Sequence, residues 1–231
     1  MEPSTRRVVT RSPGRTVRIL NLRGLLSAPL ECESSLERDF AIRAALHPAV
    51  VNITAQPFRL RLGEKTYTPD FLVELEPGKR MVVEVKTRRK IPQYQPLFDA
   101  ASEDLQRHDM HLLVADEHAI RAGGTHRRAA HILRFLKAAF AFADCERALV
   151  VAAAHPAGLS IEQLIQEARV GKPLVLYLIA HRRLHIDADL PNHDAAHVRC
   201  VTPIQENRQH EHHFAQWFGL TPWTADGGTR A

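Results

Sequence analysis

Apolar and basic residues alternate along Phe58-Arg59-Leu60-Arg61-Leu62, a period of two that predicts a half-exposed strand. Gly63-Glu64-Lys65 turns that strand, and a second one holding Asp70 is expected to run to about Leu75. Glu76-Pro77-Gly78-Lys79 is a strong turn signal, after which Met81-Val82-Val83-Glu84-Val85-Lys86 reads as a third strand. Counting by twos, Met81, Val83 and Val85 share one face, while Val82, Glu84 and Lys86 share the other. Thr68 and Asp70 fall together, opposite Phe71 and Val73. Upstream, Leu36, Phe40 and Ala44 recur one turn apart, so residues 27–47 read as helical, with Pro48 as the stop. Downstream come Pro92 and Pro96, a helix over about 97–108 and an apolar strand over 111–115. One helix, three antiparallel strands, a second helix and a further strand predict an α/β core with a mixed sheet.

The pattern changes after Gly123-Gly124. Residues 127–142 read as one long amphipathic helix, and Ser160-Ile161-Glu162-Gln163 is a capping box opening a short helix with Leu164 and Ile165. Gly171-Lys172-Pro173 breaks it, and residues 174–181 read as another helix. Leu184, Ile186 and Ala188 alternate with His185, Asp187 and Asp189, predicting a hairpin that returns through Val198 and Cys200. Three helices and a hairpin form a winged-helix pattern. The expected organisation is a basic arm over 1–26, an α/β domain over 27–124, a winged-helix-like domain over 125–202, and a tail over 203–231.

The chain has 231 residues, a net charge of +5 and a pI near 9.4, a tilt toward polyanionic partners. That tilt is local. Arg6, Arg7, Arg11, Arg15, Arg18 and Arg23 crowd the start, where Glu2 is the sole acid. Such a start also has the composition of a transit peptide. Arg88-Arg89-Lys90 and Arg127-Arg128 are further clusters; each taken singly is compatible with a solvated surface. Cys32, Cys145 and Cys200 lack a Cys-x-x-Cys pair, so a reducing cytosol is expected. No apolar run approaches the ~18 residues of a membrane span.

Asp70, Glu84 and Lys86 carry the chemistry. If their strands pair, two carboxylates and an ammonium converge at one end of a sheet, equipment for a divalent metal and phosphodiester hydrolysis. Each residue has a plainer reading. Asp70 follows Pro69 and suits a turn, and Lys86 suits a solvated strand edge. Glu84 is harder to dismiss, because a carboxylate among valines costs stability unless exposed or compensated. Glu33-Ser34-Ser35-Leu36-Glu37 admits two readings. A helix starting near residue 27 sets Glu33 and Glu37 one turn apart on one face. Alternatively, Ser34-x-x-Glu37 is a capping box, and Glu33 lies outside the helix.

The run Glu-Ser-Ser-Leu-Glu-Arg-Asp-Phe (33–40), then Tyr-Thr-Pro-Asp-Phe-Leu-Val (67–73), then Val-Glu-Val-Lys (83–86) resembles the TnsA family of transposon endonucleases. The resemblance spans roughly residues 6–200, more weakly in the C-terminal part. It implies a restriction-endonuclease-like PD-(D/E)xK core followed by a winged helix. It further implies that Glu37 helps hold or orient a metal, that Asp70 is the central ligand, and that Glu84 is the second. The Val85 carbonyl would complete the site, and Lys86 would stabilise the phosphate or position the attacking water. Some members carry glutamine at the place of Glu84. The implied cofactor is Mg²⁺, with Mn²⁺ able to substitute. The implied function is a cytoplasmic, bacterial subunit that cuts the 5′ strands at transposon ends. Its implied partners are DNA, a transposase of the RNase H-like class, and an AAA+ ATPase regulator engaged through the C-terminal region. A stand-alone restriction or repair nuclease, and an assembly factor with a vestigial site, are the alternatives.

Other features stay outside that reading. Among fourteen histidines, His193-x-x-x-His197-x-x-Cys200 has zinc-like spacing and His210-Glu211-His212-His213 is dense, but neither supplies a convincing fourth ligand. Gly123-Gly124-Thr125 lacks a phosphate-loop pattern. Residues 174–180 are almost wholly apolar, which favours protein docking over base reading for the second domain. The aromatic tail, with Phe214, Trp217 and Phe218, either folds back onto its own domain or is held for a partner.

Overall fold

A computed structural model of the chain describes residues 2–3, 17–76, 78–191, 193–201 and 210–225. The arginines at 6, 7, 11 and 15, expected in a basic arm, lie outside the described residues. The chain divides by packing into two units. One is drawn from 1–41, 49–122 and 204–231; the other comprises 42–48 and 123–203.

The chain opens with β1 (Glu2–Pro3), β2 (Arg18–Leu20), β3 (Leu30–Cys32) and α1 (Ser35–Ala44). Then follow β4 (Val50–Ala55), β5 (Phe58–Leu62), β6 (Lys65–Tyr67), β7 (Phe71–Leu75) and β8 (Lys79–Val85). After a 3₁₀ turn at Arg88–Lys90 come α2 (Ile91–Gln106), β9 (Met110–Ala115) and α3 (Glu117–Arg121).

An α/β architecture with a mixed sheet is what the first unit adopts. The main sheet has the order β4-β7-β8-β9, antiparallel as far as β8, with β9 parallel to it. Its membership differs from the sequence expectation. The alternating strand β5 pairs with β1 and β6 in a separate sheet, and β4 takes the place expected for it. A register shift between Val50 and Asn52 breaks the period-two pattern of β4, hiding it in the sequence. The first helix also starts later than residue 27. Residues 30–32 bond to 18–20 as a strand pair, a non-local contact that local helical spacing cannot register. Helix α2 starts earlier than expected, at Ile91. Pro92 falls in its first turn, where no backbone N–H is needed, and Pro96 is accommodated inside.

Residues 81–85 are all buried, because β8 is covered on both faces. On one face Val82 joins Phe98, Ala101 and Leu105 of α2, together with Tyr67, Leu112 and Trp223. On the other, Phe71 stacks on Phe40 of α1, with ring centroids 5.5 Å apart.

The second unit contains α4 (Thr125–Leu133), α5 (Phe142–Ala153), β10 (Leu159–Ser160), α6 (Ile161–Ala168), α7 (Lys172–Ala180), β11 (Leu184–Ile186) and β12 (His197–Cys200). The long helix expected over 127–142 is broken. A 3₁₀ turn at Arg134–Lys137 ends in extended backbone at Ala138, and Ala141 is extended before α5. The break falls in an alanine-rich run with no Gly or Pro, so tertiary packing overrides propensity there. The capping box at Ser160 forms, with Gln163 N–H donating to Ser160 Oγ and Ser160 N–H donating to Gln163 Oε1. The hairpin also forms, pairing Leu184 with Cys200 and Ile186 with Val198. Strand β10 adds to it, giving the order β10-β12-β11.

The chain then returns to the first unit through α8 (His210–Gln216), which packs against β8. Phe214, Trp217, Phe218 and Trp223 are all buried there. The tail aromatics therefore pack with the α/β unit rather than with the domain that precedes them. Among the described residues, no helix is long and apolar enough to cross a membrane.

Candidate active site

The β7–β8 register decides where the key side chains stand. Phe71 faces Val83, so continuing the pairing by one residue sets Asp70 opposite Glu84. Asp70 itself precedes β7 and is anchored at both ends. Its carbonyl accepts from Gln56 N–H at 2.8 Å, and its carboxylate Oδ2 accepts from Val85 N–H at 2.8 Å. Gln56 has a φ of +45°, a left-handed conformation disfavoured for a residue with a Cβ.

Glu84 is buried, at 4% exposure, and both its oxygens are engaged. Oε1 lies 2.7 Å from Lys86 Nζ, and Oε2 accepts from Tyr67 Oη at 2.8 Å. The Lys86 ammonium also lies over the Tyr94 ring, 4.9 Å from its centroid. Its backbone N–H bonds Ala115 O at 3.0 Å, carrying the ladder one residue beyond β8. Asp70, Glu84, Val85 and Lys86 therefore meet at one end of the β7–β8 pair.

Glu37 is held by local bonds at the start of its helix. The capping geometry holds at the start of α1: Ser34 Oγ accepts from Glu37 N–H at 3.1 Å, while Glu37 Oε2 accepts from Glu33 N–H at 2.7 Å. Glu33 lies outside the helix, its Oε1 accepting from Gln56 Nε2 at 2.9 Å. The two glutamates thus do not share a helix face. Glu37 is nevertheless near enough for its charge to reach Asp70.

Burial, followed by the charges of Glu84 and Glu37, pushes the Asp70 carboxyl well above its ordinary range, against the pull of Val85 N–H and Lys86. Burial also raises Glu37, opposed by its bonds from Ser34 and Glu33. Desolvation tends to lower the Lys86 ammonium, but Glu84 and then Asp70 outweigh it, so its pKa rises. Burial and the same two carboxylates drive the Tyr67 phenol well above its usual value, keeping its proton in place as a donor. The Cys32 thiol is raised to about 12 by burial and by Glu37, and is no nucleophile.

Such a site concentrates negative charge that a cation would relieve. Mg²⁺ ordinarily takes one or two protein carboxylates and fills its octahedron with water and substrate phosphate. Asp70 and Glu84 fit that donor set. Among the described residues, no group of three or more His, Cys, Asp or Glu side chains is disposed to hold a metal.

Sequence reading passed over Tyr67, Gln56 and Tyr94 as parts of the site. Tyr67 had a usable signal, since it stands at the end of the strand turned by Gly63 and directly before Thr68-Pro69-Asp70. Gln56 and Tyr94 reach the site only through the fold. Of the Arg88-Arg89-Lys90 cluster, Arg88 is tied to Asp116 Oδ2 at 2.8 Å through Nε and to Glu117 Oε2 at 2.8 Å through its backbone N–H. Arg89 and Lys90 are exposed. No model of a known protein family matches the chain, and no curated protein matches it.

Proposed function

We propose that this protein is a metal-dependent DNA endonuclease of the TnsA type, the subunit of a heteromeric transposase that cuts the 5′ strands at transposon ends. The observation that carries the reading is the meeting of Asp70, Glu84 and Lys86 at one end of the β7–β8 pair, with Lys86 Nζ 2.7 Å from Glu84 and Asp70 fixed on Val85 N–H. The Asp, Glu and Lys of a PD-(D/E)xK nuclease are required at this relation to each other. A helix on each face of a mixed four-stranded sheet suits the restriction-endonuclease-like core.

Asp70 and Glu84 would hold Mg²⁺ or Mn²⁺, which supplies Lewis acidity toward a phosphoryl oxygen and acidifies a water. Lys86 offers an ammonium where negative charge develops on the scissile phosphate. Tyr94 and Glu84 keep that ammonium in place. Glu37 adds negative potential from the start of α1.

The second unit supports the docking part of the reading. Helix, strand, helix, helix and hairpin in the order α5-β10-α6-α7-β11-β12 suits a winged helix. Helix α7 buries Leu174, Val175, Leu176, Leu178, Ile179 and Ala180, leaving few side chains for base edges. Phe142 and Val150 on α5 are 77% and 68% exposed, apolar surface suited to a protein partner such as the AAA+ regulator.

The test is strand-specific cleavage by the full chain, assembled with an RNase H-like transposase on DNA carrying element ends, in Mg²⁺. Asp70→Ala and Lys86→Ala should abolish 5′ cutting and leave 3′ joining by the partner intact. Unchanged 5′ cutting by both variants overturns the reading.

A further inference from the structure

The hydroxyl of Tyr67 stands 2.8 Å from Glu84 Oε2, while Lys86 holds the other oxygen, Oε1, at 2.7 Å. We propose that Tyr67 is a positioning residue that fixes the Glu84 carboxylate for divalent-metal binding opposite Asp70. The inference rests on the nuclease reading above.

Three observations point to this role. Tyr67 is 6% exposed and its ring belongs to the apolar cluster of Phe58, Leu60, Val82 and Phe98, so the hydroxyl cannot wander. Among the described residues, its hydroxyl bonds Glu84, at the edge of that cluster. Second, Tyr67 closes β6, pairing with Leu60, and is tied to the strand pair bearing the carboxylates by only Thr68-Pro69-Asp70. One short segment therefore delivers the donor that orients Glu84 and the carboxylate that faces it. Third, Lys86 cannot fix Glu84 alone. An ammonium is a rotatable point charge on a flexible stem, whereas the phenol is a single directed donor on a rigid ring.

A donor bonded to one lone pair of a carboxylate oxygen leaves that oxygen's other lone pair available. It also sets the plane of the group, as partners outside the ligand shell do at other metal sites. Removing the hydroxyl frees Glu84 to turn toward Lys86 alone.

The test is Mg²⁺ titration of the full chain, read as the midpoint of the ion-induced rise in melting temperature, beside 5′ nicking by the full chain assembled with the RNase H-like transposase across the same Mg²⁺ range. Tyr67→Phe, which keeps the ring and loses only the oxygen, should weaken the Mg²⁺ midpoint about tenfold or more. Nicking should be restored by raising Mg²⁺, and affinity for duplex DNA should not change. Tyr67→Met fills the slot without a donor and should give the same shift if Tyr67→Phe folds poorly. A purely structural role would lower the melting temperature without moving the midpoint, and that result overturns the proposal. Asp70→Asn separates the two levels of inference. If it abolishes the Mg²⁺ response while Tyr67→Phe leaves the midpoint unchanged, the role of Tyr67 falls and the nuclease reading stands. A full Mg²⁺ response in Asp70→Asn overturns both.

Discussion

Lys86 reaches back along its own strand to Glu84, two residues earlier, with Nζ 2.7 Å from Oε1. Residues two apart share a face of a strand, so the pair follows from backbone geometry once β8 is in place. Glu84 is buried and Lys86 is only a quarter exposed at its side chain, which places this pair between a core ion pair and a surface one.

Lys86→Met is accordingly expected to have two separable effects. Glu84 would keep only the Tyr67 hydroxyl as a partner, costing about 1–3 kcal/mol, between the values for exposed and fully buried pairs. Cleavage should fall by about a hundredfold or more, as for loss of other groups that stabilise transition-state charge. Chemical denaturation reads the first effect, and single-turnover cleavage reads the second.

Asp70 makes a pH prediction with a definite sign. Its carboxyl is raised well above the ordinary 3.8, so between that value and its folded pKa the native state binds more protons than the unfolded one. Stability contributed by the protonated group is complete below about pH 3.8 and is lost as pH rises through the folded pKa. Glu37 is raised as well and acts in the same direction. In chelator, the chain should therefore lose part of its stability as pH rises, and Asp70→Asn should lessen that loss. Added Mg²⁺ should restore stability most at high pH, where the carboxylates are ionised. Melting temperatures at several pH values, with and without Mg²⁺, check this.

The start of α1 yields a graded test of Glu37. Its Oε2 is committed to Glu33 N–H, and its own N–H to Ser34 Oγ. Ser34→Ala should cost about 1 kcal/mol through the lost cap. Glu37→Gln keeps an acceptor for Glu33 and should leave stability within about 0.5 kcal/mol, as expected away from packing or cap losses. Because Glu37 acts on Asp70 through its charge, Glu37→Gln should slow cleavage by less than about tenfold. Asp70→Asn, which removes a ligand, should slow it by more than about a hundredfold. Equal losses in the two variants would instead make Glu37 a ligand in its own right.

The site was legible in the sequence to the extent that strand periodicity and turns are local properties. Gly78 and the alternation of residues 81–86 predict the pairing that opposes Asp70 to Glu84, and the structure supplies that register, whereas the turn at Gly63 joins β5 to β6 in a separate sheet. Features that depend on distant partners were not legible. Leu30–Cys32 is a strand because Arg18–Leu20 lies beside it, which displaces the helix start to Ser35 and takes Glu33 off the helix. Val50–Ala55 joins the sheet despite a bulge that erases its alternation. The position of Tyr67 directly before Thr68-Pro69-Asp70 places it near the site, but its bond to Glu84 depends on the packing of β6 against β8. In the second unit, the capping box and hairpin are local and were read, whereas the break between α4 and α5 has no residue that announces it.

The tail provides the remaining prediction. Phe218 stacks on Phe40 with centroids 4.9 Å apart, and Phe214 meets both rings edge-on, so α8 completes the apolar layer on one face of the sheet. Trp223 seals the other face. Its N–H donates to Leu112 O at 2.7 Å, its indole Nε1 to Asp99 Oδ1 at 2.8 Å, and its carbonyl accepts from Ser102 Oγ at 3.0 Å. Phe214→Ala or Trp223→Ala should each cost about 3–5 kcal/mol, the usual range for truncating a buried aromatic. Truncation after Glu206 removes all these groups together and exposes Phe40, Phe98 and Leu112, so the chain should become insoluble or lose its cooperative melting transition. A soluble truncated chain with unchanged melting would mean that the α/β unit folds without its tail. In that case, loss of complex formation in the same variant would mark the aromatics as a partner's binding segment.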